Sequence, residues 1–215
     1  MPRKLKSPTR TITNRGPRSK YIGHFPCSKS TAEYILFDSV TSLTVGLLLE
    51  QRPDVECMSF ESRKFGFEGG KGDKPFFSIP DYEAYLKSGE IIYREAKYSR
   101  QMGKGEAQKI ALTAALMKAN GFDYDVIYRT DLESDGQIGL IAMLRPYGLL
   151  KFNEKTLAAA ETGLSAFGRQ TLLSWRIFAR VCGFSIAVVY HLIYQGRLLL
   201  SPTKQMGVEV EECLG

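Results

Sequence analysis

The stretch from Phe76 to Tyr98, FFSIPDYEAYLKSGEIIYREAKY, constrains the fold of this chain more than any other. It reads as two short strands joined at Lys87-Ser88-Gly89, because a three-residue loop ending on glycine suits a hairpin with a left-handed last position. That loop pairs Leu86 with Glu90 and, counted outward, Asp81 with Glu95. Strand side chains alternate faces, so Glu95 and Lys97 point the same way. The hairpin therefore gathers two carboxylates and one ammonium on a single patch. Adjacent carboxylates repel unless positive charge lies between them. A divalent cation beside the lysine meets that need; the alternative is a plain hairpin with a surface ion pair.

The 215 residues, 44% of them hydrophobic, supply a core for one large domain or two small ones. No apolar run approaches the roughly 18 residues of a membrane span, and the first thirty residues lack an apolar signal core. The expectation is a soluble intracellular protein with no membrane association. Cys27, Cys57, Cys182 and Cys213 lie far apart without CxxC spacing, which argues against a zinc site or a disulfide framework. With only His24 and His191, a histidine-based scheme is poorly supported. The net charge of +6 is uneven: residues 1–30 hold eight basic side chains and no acid, leaving 21 basic against 23 acidic in the remainder. Such an arm is drawn to phosphate backbones. Arg15, Arg18, Lys20 and Lys29 are its candidate DNA contacts; the alternatives are a solvated tail or a targeting segment.

Taken in order, Tyr21 to Ser30 reads as a linker turning at Pro26. A helix is predicted from Ser30 or Thr31 to Gln51, with one of those two as cap and Glu33 in its first turn. Its early, β-branched part also fits an extended segment. Val55 to Phe67 reads as one strand and Gly66 to Asp73 as a hairpin tip, with Lys71 and Lys74 as minor candidates for nucleic-acid contact. That glycine-rich tip lacks the ordered pattern of a phosphate cradle. After a basic loop from Ser99, Glu106 to Asn120 is rich in helix formers and closed by Gly121. Phe122 to Tyr128 is a strand. Helix, three strands, helix, strand describes an α/β fold with a mixed sheet flanked by helices.

From Leu150 the composition turns helical. Asn153–Phe167, Arg169–Val181 and Ser185–Tyr194 read as three helices, and Arg197–Leu200 with Val208–Glu212 as a wing. That is a winged-helix outline, bent at Gly183. The third helix offers only His191 and Gln195 for base reading, so protein contact is its expected use. The predicted organisation is a basic arm (1–30), a sheet domain (31–149) and a winged-helix-like interaction domain (150–215).

Pro80-Asp81 followed by Glu95-Ala96-Lys97 resembles the PD-(D/E)xK signature of the restriction-endonuclease-like nuclease superfamily. The resemblance implies that Asp81, Glu95 and the Ala96 carbonyl hold magnesium, with manganese as an alternative, and that Lys97 positions or activates the attacking water. The ordered series SKYIGHFPCSKS, FDSVTSLTVGLLLEQRPDV, SIPD, EAKY and GFDYDVIYRTDLE is similar, over about residues 12 to 135, to the TnsA-like endonuclease subunits of heteromeric transposases. That likeness implies a DNA endonuclease of a bacterial cytoplasm that nicks the 5′ strands at transposon ends during DNA transposition. A separate strand-transferring transposase subunit would be one partner. An AAA-type transposition regulator, engaged by the C-terminal domain, would be another.

One departure stands out. Phe37-Asp38-Ser39 matches the family segment that leads to a first-helix glutamate, and that position falls at or near Ser42. Serine does not equal a carboxylate as a magnesium ligand. Asp38, one helical turn earlier on the same face, is the candidate substitute, set against its reading as a plain helix residue. The departure also motivates an alternative from another class, a weak or inactive nuclease-fold subunit that bridges DNA and transposition partners. A stand-alone repair or restriction nuclease is a third option, disfavoured by the lack of a clear DNA-reading domain.

Overall fold

The structure is a computed structural model that describes residues 21–30, 33–67 and 75–201. In chain order its elements are β1 (Gly23–Pro26), β2 (Tyr34–Phe37), α1 (Val40–Gln51), β3 (Val55–Phe60), β4 (Phe65–Phe67), β5 (Phe76–Ser78), β6 (Tyr82–Leu86), β7 (Ile91–Lys97), α2 (Lys104–Ala119) and β8 (Asp123–Tyr128). They continue with α3 (Arg129–Ser134), α4 (Gln137–Gly148), α5 (Glu154–Ser165), α6 (Leu172–Val181) and α7 (Ile186–Tyr194). The chain divides into two compact units between Asp131 and Leu132, with Gln51–Pro53 belonging to the second. The second unit thus begins upstream of the composition change at Leu150.

The first unit is built on a mixed sheet in the order β3-β6-β7-β8, antiparallel except for the β7–β8 pair. The hairpin closes as its loop dictates: the Leu86 N–H donates to the Glu90 carbonyl and Gly89 takes φ 92°. Because β7 and β8 are parallel, a crossover must join them, and α2 supplies it. One face of the sheet packs Met58, Tyr82, Ala84 and Ile92 against Val45 and Leu49 of α1. The other packs Tyr93 against Met117 of α2 and the aromatic pair Phe65 and Phe67. Alternation along β6 and β7 produces the two faces. α1 lies close on its side because Gly46 has no Cβ; one added there would overlap the Tyr82 hydroxyl and the Phe25 ring.

Several expectations are corrected. The segment predicted as one helix from Ser30 or Thr31 starts with β2, and α1 begins only at Val40. The β-branched alternative for this early part is the one realised. Glu33, placed in a first helical turn, has a left-handed φ of 62°, and Thr31 lies outside the described residues. The strand predicted over Val55–Phe67 is two strands in two sheets, broken after Phe60 where Glu61 adopts φ 45°. The first hairpin strand is likewise split. β5 pairs with β4, and β6 starts after Pro80, whose missing N–H suits a strand boundary. The glycine-rich tip with Lys71 and Lys74 lies outside the described residues.

The second unit is helical. α7 is its central element, with Val188, Val189, Leu192 and Ile193 buried against Leu144 of α4, Leu157 and Leu164 of α5 and Trp175 of α6. Three helices start on side-chain caps: Asn153 accepts from the Lys155 N–H, Thr171 from Ser174 and Ser185 from Ala187. Gly148 closes α4 where a Cβ would overlap the Tyr194 ring. His191 is buried, with Nδ1 2.9 Å from the Tyr147 carbonyl. The α7 face assigned to a partner is thus the unit's own core. Of the expected wing, Arg197–Leu200 makes only an isolated bridge from Leu200 to Gln170, and Val208–Glu212 lies outside the described residues.

Candidate active site

The pairing registers Phe60↔Tyr82 and Tyr82↔Arg94, continued by one residue, set Glu61, Asp81 and Glu95 in a row across β3, β6 and β7. The Glu61 N–H donates to the Asp81 carbonyl at 2.8 Å, which extends the ladder to this row. The Asp81 carboxylate accepts from the Ala96 N–H at 2.7 Å. Lys97, two residues beyond Glu95 on the same face, lies 3.0 Å from the Glu95 carboxylate and 3.4 Å from that of Glu106 in the first turn of α2. The predicted Asp81–Glu95 pairing and the Glu95–Lys97 side are therefore both present.

The row is electrostatically costly. Burial, then repulsion from Glu95, pushes the Asp81 carboxyl up to about 8, against the opposing pull of the Ala96 N–H and of Lys97; Asp38 adds to the rise. Burial also raises Glu95, outweighing Lys97 and Lys109, and Glu61 raises it further. Burial draws the Lys97 ammonium down, but Glu95, Asp81 and Glu106 together hold it above the ordinary lysine value. Carboxylates held this way favour the arrival of a proton or another cation.

The start of α1 explains Ser42. Ser39 accepts from the Ser42 N–H at 3.0 Å, and the Ser42 hydroxyl oxygen accepts from the Ser39 N–H at 3.1 Å. This is a capping box with serine in the place that glutamate or glutamine usually fills. Asp38 is not a helix residue, as one reading had it; it lies two residues before α1, nearly buried, and accepts a bond from the Ser42 hydroxyl at 3.3 Å. It is close enough to raise Asp81, so the first-helix region contributes one carboxylate to this neighbourhood.

Asp81, Glu95 and the Ala96 carbonyl offer hard oxygen donors, the type that magnesium and manganese take. Their chemistry and the mutual repulsion of Asp81 and Glu95 fit a divalent cation. Among the described residues, however, no group of three or more His, Cys, Asp or Glu side chains is drawn together into a metal cage. Of the arm residues, Arg15, Arg18 and Lys20 lie outside the described residues. Lys29 is half-buried in the loop after β1, where its carbonyl accepts from the Met58 N–H and burial lowers its ammonium to about 8. It sits within the folded unit and is not a side chain of an extended arm.

The sequence alone does not single out Glu61. In sequence it is one acid at the end of an apolar run, and only the register of β3 against β6 brings it beside Asp81. The local signal is slight: Glu61 stands directly after the last residue of β3. Compared with known proteins, the chain matches no family model and no curated protein. Among the described residues, no helix is long and apolar enough to cross a membrane.

Proposed function

We propose that this chain is a metal-dependent DNA endonuclease of the restriction-endonuclease-like class, acting as the TnsA-like subunit that nicks 5′ strands at transposon ends beside a strand-transferring transposase. The observation that carries the reading is Asp81 set opposite Glu95, with Lys97 on the Glu95 carboxylate and Asp81 pushed far above its ordinary range by burial and then by Glu95. Asp81, Glu95 and the Ala96 carbonyl would hold magnesium or manganese, which when bound supplies charge neutralisation at the scissile phosphate. The Ala96 N–H fixes the Asp81 carboxylate, leaving Asp81 and Glu95 opposite each other across the strand pair. Lys97, anchored by Glu95 and Glu106, presents its ammonium where negative charge develops on the phosphate. DNA backbone contact falls to the basic arm, and a AAA-type regulator and the transposase are the protein partners of a bacterial cytoplasmic complex. A winged-helix role for the helical unit belongs to the same reading.

Lys97→Ala tests it. Cleavage of a transposon-end duplex, assayed with the partner transposase and magnesium, falls by about 10²–10³-fold, the usual loss for one transition-state charge stabiliser. DNA and partner binding persist. Binding lost together with cleavage would overturn the role assigned to Lys97. A second reading, a nuclease-fold subunit that bridges DNA and partners without cutting, is favoured by the direct 3.0 Å Lys97–Glu95 contact and by Ser42 serving as a helix-cap residue. Unchanged cleavage in the complex when Lys97 or Asp81 is replaced would select it.

A further inference from the structure

We infer that the outer face of α6 is a docking ridge for an acidic amphipathic helix of another protein. α6 buries Trp175 and Ala179 on its inner side, yet Leu173, Ile177 and Val181 are exposed at 40%, 52% and 77%. These three recur every fourth residue and form one continuous row on the helix surface. Arg176 and Arg180 form the neighbouring row, again four residues apart, and α6 carries no acidic side chain. From Gly136 to Ser201 the chain has seven basic and two acidic residues, and both acids, Glu154 and Glu161, already contact Arg197. The surface is thus an apolar ridge flanked by positive charge.

The chemistry of the occupant follows. An apolar row that stays out of water needs an apolar counterpart. Rows of i±4n spacing interdigitate with the same rows on another helix, at a crossing near −50°. The flanking arginines call for carboxylates beside the partner's apolar row. A second copy docked through the same face would set Arg176 and Arg180 against their equals, which repel. A nucleic-acid backbone would satisfy the arginines but leave the apolar row against phosphate. An acidic amphipathic helix satisfies both rows.

The test uses the full-length protein and measures no cleavage, so its outcome is separate from the nuclease reading. The probe is a fluorescent synthetic helix with leucines at four-residue spacing flanked by glutamates, compared with the same peptide carrying lysines instead. The glutamate peptide binds saturably, and Ile177→Asp weakens it by about tenfold or more, the effect expected of a central apolar contact. Thermal stability is retained because Ile177 is exposed. The double variant Arg176→Glu/Arg180→Glu exchanges preference and takes the lysine peptide. Three results would overturn the inference. They are equal binding of both peptides, concentration-dependent dimerisation that Ile177→Asp abolishes, and binding that appears only once residues 202–215 are removed, which would assign the ridge to the chain's own Glu209, Glu211 and Glu212.

Discussion

Two carboxylates on the same edge of the central hairpin, Glu83 and Asp81, are treated in opposite ways. Glu83 is buried and surrounded by donors: the Ser62 hydroxyl, the Tyr85 hydroxyl at 3.0 Å, the Tyr93 hydroxyl at 3.4 Å and the Arg63 guanidinium at 2.7 Å. Asp81, two residues away, accepts from the Ala96 N–H but faces Glu95, with Glu61 and Asp38 near by. A buried charge kept for structure is saturated with partners. One placed among like charges costs folding energy, and its persistence points to a ligand. The difference sets a carboxylate saturated with partners apart from the one that the proposed function assigns to metal.

The largest effect expected from this contrast is at Glu83. Glu83→Ala leaves Arg63 and three hydroxyls without their acceptor, and unfolding free energy falls by about 3–5 kcal/mol in a denaturant titration. Next comes the response to metal. Magnesium or manganese at about a hundredfold excess over its dissociation constant stabilises a single-site protein by about 2.7 kcal/mol. Wild type therefore gains thermal stability from the cation, and Asp81→Asn does not. Equal gains in both proteins would remove Asp81 from the ligand set. Smaller still is Asp81→Asn without metal. The amide, like the carboxyl held up to about 8, carries no charge beside Glu95 at neutral pH and keeps an acceptor for Ala96, so stability there stays within about 1 kcal/mol of wild type. A loss as large as that of Glu83→Ala would show that Asp81, too, is held for structure.

Much of the sheet unit was legible because its signals are local. The Lys87-Ser88-Gly89 loop set the register that places Asp81 opposite Glu95, and the helix formers of α2 with Gly121 marked the crossover. What was missed depended on pairing between distant segments. Glu61 joins the site only through the β3–β6 register, and β4 with β5 leave the main sheet although their sequences run on from β3 and into β6. At α1, the rotation from strand to helix within six residues hid Ser39 as the cap, and Asp38 was read one element too late. α3 and α4 were not predicted, since Gly136, Gly139, Pro146 and Gly148 punctuate the segment as a loop would. In fact Pro146 sits in the last turn of α4, and Gly148 admits the Tyr194 ring. The apolar run of α7 was visible, but whether it faced a partner or its own neighbours was a tertiary question.

A third buried cluster tests the same rule at its weakest. Glu50 accepts from the Ser28 N–H and hydroxyl beside Cys27 and Lys29. Burial lowers Lys29 from 10.5 to about 8, and burial, then Glu50, raises Cys27 from 9.0 to about 12. Between about 8 and the ordinary lysine value the unfolded chain keeps a proton on Lys29 that the folded chain has released, so stability rises with pH. Above the ordinary thiol value the unfolded chain loses a Cys27 proton that the folded chain retains, and stability falls with pH. The two slopes oppose one another from about pH 9, which confines the net rise to the interval from about 8 to 9. The Asp81 carboxyl, held up to about 8, opposes the rise in both proteins, so the difference is what is read: the thermal midpoint of wild type relative to Lys29→Met should climb as pH rises from about 8 toward the ordinary lysine value, while Lys29→Met itself should decline above pH 9 as Cys27 acts. Identical profiles in the two proteins would mean that Lys29 keeps its charge in the fold as a solvated phosphate-binding residue does, and would return it to the DNA-contacting arm.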